Sequence, residues 1–101
     1  MVMYKIVFTK QALKDLDNLK KSGLSSKVKV LVDVIRENPY QNPPRYEKLV
    51  GNLQGTFSRR INIQHRLVYQ VYEEKFVENE VSYDGTIKII RIWTHYEGLN
   101  G

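Results

Sequence analysis

Glu47, the arginines Arg59, Arg60 and Arg66, and the late pair His95-Tyr96 are the side chains here whose types could do chemistry together. A carboxylate can take a proton. Guanidinium groups present planar forks that fit phosphate oxygens. An imidazole can give a proton near neutral pH. Those are the parts that metal-free cleavage of RNA needs: a base for the 2′-OH, cations for the phosphate as charge builds, and an acid for the leaving 5′-oxygen. The blander reading of the same residues is a solvated basic face. On that reading Glu47 is a surface carboxylate after a proline-rich loop, His65 sits exposed at a hairpin turn, and His95-Tyr96 carries no chemistry. Tyr46, Tyr69 and Trp93 read as core or partner contacts rather than base-stacking platforms.

Other chemistries lack their parts. There are no cysteines, so disulfides and thiolate metal sites are excluded, and two histidines without a spaced carboxylate cluster do not make a metal site. The glycines form neither a phosphate loop nor a dinucleotide fingerprint, and no cofactor is implied. A length of 101 residues fits one domain, 1–101, with a modest core. The net charge of +5 favours an anionic partner, nucleic acid or an acidic protein. No run is long and apolar enough for a signal or membrane helix, so no membrane partner is expected and the default location is cytoplasmic.

The positioning elements follow from periodicity. Tyr4-Lys5-Ile6-Val7-Phe8 reads as a first strand and Thr9 as the N-cap of a helix whose Ala12, Leu13, Leu16 and Leu19 share one face, stopped by Gly23. Ser25 or Ser26 is expected to cap a second helix to about Asn38, with Val28, Leu31, Val32 and Ile35 buried, ended by Asn38-Pro39. Residues 38–46 form a stiff loop, with Arg45 and Tyr46 as a contact surface. Residues 47–50 close it as a short turn or strand, and 51–55 make another bend with Leu53 inward. Strands follow at Thr56 to Ile63 and Arg66 to Tyr72. Three arginines and a histidine lie within the eight residues 59–66, among apolar anchors. Neighbours Arg59 and Arg60 must point to opposite sheet faces, so at least one serves packing or an ion pair. Residues 73–85 read as a long hairpin arm or loop, with a tight turn at Asp84-Gly85. Thr86 to Thr94 is a central strand, whose alternation puts Ile89, Arg91, Trp93 and His95 on one side.

Glu47-Lys48-Leu49-Val50-Gly51-Asn52-Leu53-Gln54-Gly55, Ser58-Arg59-Arg60-Ile61, His65-Arg66-Leu67-Val68-Tyr69 and His95-Tyr96, in this order, resemble the YoeB (Txe) toxins of the RelE-like superfamily. The resemblance runs from the first strand to Tyr96. It implies an α+β fold, two N-terminal helices on a twisted, mainly antiparallel sheet in the order β-α-α-β-β-β. It also implies a toxin of a type II toxin–antitoxin system, an endonuclease that cuts translated mRNA in the ribosomal A site. Glu47 falls at the general-base position, Arg66 where an arginine stabilises the phosphorane-like transition state, His95 at the general acid, and Tyr96 at the tyrosine that orients mRNA. Arg59 and Arg60 match the paired arginines, Arg60 being the better placed for phosphate. Lys88 and Arg91 add to the RNA-binding charge. The implied partners are ribosome-bound mRNA with ribosomal RNA around it and a cognate acidic antitoxin; a homodimer is as compatible as a monomer.

Three departures stand out. Many relatives carry lysine where this chain has Val50, leaving Lys48 or Arg45 to supply that cation. Residues 73–85 exceed the usual hairpin, and five residues follow Tyr96. Two other readings of the same fold remain: a gyrase-poisoning toxin like ParE, acting by protein contacts, and a catalytically dead relative that binds antitoxin.

Overall fold

The computed structural model describes residues 3–49 and 55–92. In chain order its elements are β1 (Tyr4–Phe8), α1 (Lys10–Lys21), α2 (Ser25–Glu37), β2 (Tyr46–Lys48), β3 (Thr56–Arg60), β4 (Arg66–Tyr72), β5 (Phe76–Glu78), β6 (Val81–Tyr83) and β7 (Gly85–Arg91). The main sheet has the order β1-β7-β4-β3-β2. Its β1–β7 pair is parallel and the other pairs are antiparallel. The expected α+β class with two helices on a mainly antiparallel sheet is therefore what the chain adopts, with β2 and the β5–β6 arm added to the expected order.

Thr9 starts α1 as its sequence promises, its hydroxyl accepting from the Ala12 N–H at 3.0 Å and donating to the Ile90 carbonyl at 2.9 Å. One side chain thus caps the helix and ties it to β7. Gly23, at φ +77°, lets the chain reverse after α1 while Leu24 N–H reaches back to the Leu19 carbonyl. The expected serine cap of α2 is not used. Leu24 occupies the cap position with no side-chain bond, and Ser25 is already helical.

Alternation sorts the sheet into two faces. Phe57, Leu67, Tyr69, Ile87 and Ile89 point toward the helices and join Ala12, Leu19, Val28, Leu31, Val32 and Ile35 in the core. Each large side chain so buried is worth about 1.5–3 kcal/mol. Register puts the alternate residues, including Glu47, Ser58, Arg60, Arg66 and Lys88, on the face away from the helices.

The last strand differs from the expected regular alternation. A register shift between Val68 and Tyr69 pairs Tyr69 with Ile89 but Val68 with Arg91, so Ile90 is extra and the pattern slips. The tight turn also lies elsewhere than Asp84-Gly85. Asn79 and Glu80, at φ 50° and 67°, make the two-residue turn between β5 and β6, and Phe76 stacks on Tyr83 at 5.0 Å. Asp84 instead pairs with Met3, donating its N–H to the Met3 carbonyl and accepting the Met3 N–H. Gly85 is required for space: a Cβ there would stand 2.2 Å from the Tyr72 carbonyl oxygen and 2.9 Å from Tyr4 Cε2. Strand β3 stops at Arg60 rather than Ile63, because Asn62 Oδ1 accepts from the Gln64 and His65 N–H groups and turns the chain. The expected inward Leu53, Val50, and Trp93 to Tyr96 lie outside the described residues.

Candidate active site

Strands β2, β3 and β4 together build a cleft of about 250 Å³ on the face away from the helices, lined by Pro44, Arg45, Glu47, Ser58, Arg60 and Arg66. Cross-strand register explains the grouping. Glu47 sits opposite Ser58 on β3, and Arg60 opposite Arg66 on β4, all with the same orientation across the pleat. Glu47 Oε1 stands 3.7 Å from Arg66 Nη1, which also donates to Ser58 Oγ at 3.3 Å. Ser58 is fully buried, so the contact fixes the guanidinium against the floor of the cleft. Arg66 keeps 16% of its side-chain surface exposed and Glu47 38%. Both side chains thus keep part of their surface exposed, Glu47 more than Arg66.

Like charges directly opposite one another destabilise a sheet. Arg60 facing Arg66 is such a pair, offset by the Glu47 carboxylate and relieved further by any anion entering the cleft. The site can therefore bring a carboxylate and two guanidinium groups to one phosphate, with Arg45 at the rim. Of the residues singled out from sequence, Glu47, Arg45, Arg60 and Arg66 meet here. Lys88 lies on the same face, paired with Gln70 on β4, and is exposed. His95 and Tyr96 lie outside the described residues.

Three expected RNA contacts are placed otherwise. Arg59, expected at the RNA surface, is instead fully buried. It faces the core, where its Nε donates to Tyr69 Oη at 3.0 Å, Nη2 to the Pro39 carbonyl at 3.0 Å and Nη1 to the Pro44 carbonyl. The Tyr46 ring lies 5.0 Å from its guanidinium carbon. Arg91 is held by Asp15 on α1, Nε to Oδ2 at 2.8 Å, so its charge is neutralised within the fold. Lys48 alternates to the face opposite Glu47 and does not line the cleft.

Asp15, which the sequence reading left out, is a second organising residue. Its carboxylate is 1% exposed and also accepts from the Ile92 N–H at 3.1 Å and from Gln11 at 3.1 Å. Burial pushes its pKa up, but Arg91, Gln11 and the Ile92 N–H more than offset this and hold it below the ordinary carboxylate value. Its position between Ala12 and Leu19 on the apolar stripe was the available signal. Tyr69 also carries the site from within. Burial raises its phenol pKa, partly offset by Arg59, and its hydroxyl donates to the Pro39 carbonyl at 2.8 Å.

A family model described as a YoeB-like toxin of bacterial type II toxin–antitoxin systems matches residues 8–96. The chain belongs to this YoeB-like toxin family. Among curated relatives, Toxin YoeB of Synechocystis sp. is 40% identical over 48 residues, 48% of this chain and 56% of that toxin. The chain thus spans little more than half the length of that relative. Two solved structures from Staphylococcus aureus are similar over nearly the whole chain. The YoeB dimer is 33% identical with a TM-score of 0.71, covering 94% of this chain and 100% of the other. The toxin of the YoeB-YefM complex is 32% identical with a TM-score of 0.67, covering 92% and 98%. Within the family's matched span, the cleft residues Glu47, Arg60 and Arg66 all fall between 8 and 96.

Proposed function

We propose that this YoeB-like toxin is a ribosome-dependent mRNA endonuclease that inhibits translation by cutting translated message in the ribosomal A site. The observation that carries the reading is the approach of Glu47 to Arg66, at 3.7 Å, in a cleft that also holds Arg60 and Arg45. A module that only bound a protein partner would have no use for a carboxylate aimed at an anion site.

Glu47 acts as the general base and takes the proton of the 2′-OH. The freed oxygen attacks the adjacent phosphorus, and the P–O5′ bond breaks. His95 gives its proton to the leaving 5′-oxygen. The products are a 2′,3′-cyclic phosphate and a 5′-hydroxyl, and no metal or cofactor enters the balance. Arg66 stabilises the phosphorane-like charge, a contribution that preorganised cations make most strongly where water is displaced. Arg60 holds the phosphate from the opposite strand, Arg45 and Lys88 extend the basic track, and Tyr96 orients the message. The cognate partner is an acidic antitoxin, as the S. aureus relative's complex with YefM suggests for this chain. A homodimer parallels that organism's YoeB dimer. The site of action is the cytoplasm.

Inducible expression with mapping of mRNA 5′ ends tests this. Cuts inside open reading frames should appear in translating cells and vanish when translation is blocked. Growth arrest without such cuts, and with gyrase inhibited, would favour the ParE-like alternative. Co-purification of an antitoxin without growth arrest would favour the catalytically dead one.

A further inference from the structure

Arg59 is the largest fully buried side chain among the described residues, and no carboxylate there pairs with it. Burying a guanidinium is costly unless its donors are all used, and filling the same volume with leucine or methionine would avoid the cost. Its fork instead reaches three separate segments. Nη2 holds the Pro39 carbonyl at the start of the loop, Nη1 the Pro44 carbonyl at its end, and Nε the Tyr69 hydroxyl on β4. Tyr69 Oη adds a second bond to the Pro39 carbonyl.

The loop so gripped runs directly into β2, which carries Glu47. That strand is only three residues long and lies at the sheet edge, with β3 as its one partner among the described residues. Pairing along one side alone holds so short a strand only loosely. Arg59 adds the missing constraint, because register places Tyr46 opposite it and the Tyr46 ring packs 5.0 Å from its guanidinium carbon. Tyr46 and Glu47 are adjacent, so a shift of the ring moves the carboxylate on the other face. Lysine, a point charge on a flexible stem, cannot reproduce a planar fork that bridges three acceptors.

We infer that Arg59 is a positioning residue for the base: from inside the core it pins the 39–44 loop and Tyr46, and thereby sets the distance between Glu47 and the phosphate held by Arg66. This rests on the reading of Glu47 as the base. It differs from an RNA contact, since Arg59 never reaches the cleft.

A double-mutant cycle on purified programmed ribosomes tests it, using wild type, Arg59→Lys, Glu47→Ala and the double variant in single-turnover cleavage. At saturating ribosomes Arg59→Lys should cut about tenfold or more slowly. Its half-saturating ribosome concentration should change by less than about twofold. In the Glu47→Ala background the further loss should disappear, because there is no base left to misplace. If Arg59→Lys does not fold by circular dichroism, Tyr69→Phe replaces it in the cycle, removing one acceptor from Arg59 and one donor from Pro39 while keeping the ring. An undiminished loss in the Glu47→Ala background, a loss expressed only in ribosome affinity, or no loss at all overturns the inference. If Glu47→Ala itself cleaves at the wild-type rate, the base assignment falls first and the positioning role with it, an outcome distinct from the others.

Discussion

Replacing Asp15 by asparagine removes a charge from the most enclosed ion pair in the described structure while keeping its shape. Asp15 Oδ2 accepts from Arg91 Nε at 2.8 Å and from the Ile92 N–H at 3.1 Å, and Oδ1 from Gln11 at 3.1 Å. Bonds to an ionised acceptor are roughly twice as strong as neutral ones, about 1.5–3 kcal/mol against about 1. Arg91 is about a quarter exposed and recovers part of its hydration, so the expected loss is about 2 kcal/mol. For a domain of this size that lowers Tm by about 10 °C. The effect should depend on pH with a defined sign. The folded pKa of Asp15 is depressed, so its contribution is complete above the unfolded value near 3.9 and is lost as pH falls through the lower folded value. Asparagine does not titrate. Urea unfolding followed by circular dichroism at pH 7, 5 and 3 should therefore show a full gap between the two proteins at the first two values and a narrower one at the third. A gap at pH 7 below about 0.5 kcal/mol, or one of equal size at pH 3, refutes the reasoning.

Gly85→Ala should destabilise by about 3 kcal/mol, read as a lowered Tm, because its Cβ meets a backbone oxygen that only a shift of β4 or β7 could relieve. Arg66→Ala should slow single-turnover cleavage on ribosomes by about a hundredfold while antitoxin still co-purifies, as loss of one transition-state donor does elsewhere. Ribosome affinity should fall steeply between two ionic strengths, since the +5 chain exchanges counterions for phosphate contacts, and a flat response would argue against an electrostatic footprint.

Much of the fold is legible because local patterns and tertiary packing agree. Thr9, Ala12, Leu16, Leu19 and Gly23 each do in the structure what their types suggest, whereas Leu13, expected on the same face, is 53% exposed and Asp15 takes the buried place. The departures occur where a competing contact wins. Leu24, already bonded back to Leu19, leaves no cap position for Ser25. Asp84-Gly85 has the composition of a turn, yet Asp84 bonds Met3 and Gly85 makes room for Tyr4 and Tyr72. The bulge opposite Val68 and Tyr69 is invisible to alternation, which assumes an unbroken ladder.

The site follows the same division. Glu47, Arg60 and Arg66 could be chosen from residue types and order, but their meeting depends on the pairing of three strands. Arg59 and Arg60 had to point to opposite faces, and only the position of the Pro39–Pro44 loop decides that the buried one is Arg59. Arg91 looked like a surface cation because its partner, Asp15, lies 76 residues earlier.

The most direct measurement of the proposed chemistry is product-end analysis of an mRNA threaded on purified ribosomes, with free mRNA beside it and Glu47→Ala as the second protein. Wild type should cut only the ribosome-bound message and leave 2′,3′-cyclic phosphate and 5′-hydroxyl ends, and Glu47→Ala should bind ribosomes but cut at least about a hundredfold more slowly. Equal cutting of free message, 5′-phosphate ends, or full activity in Glu47→Ala would contradict it.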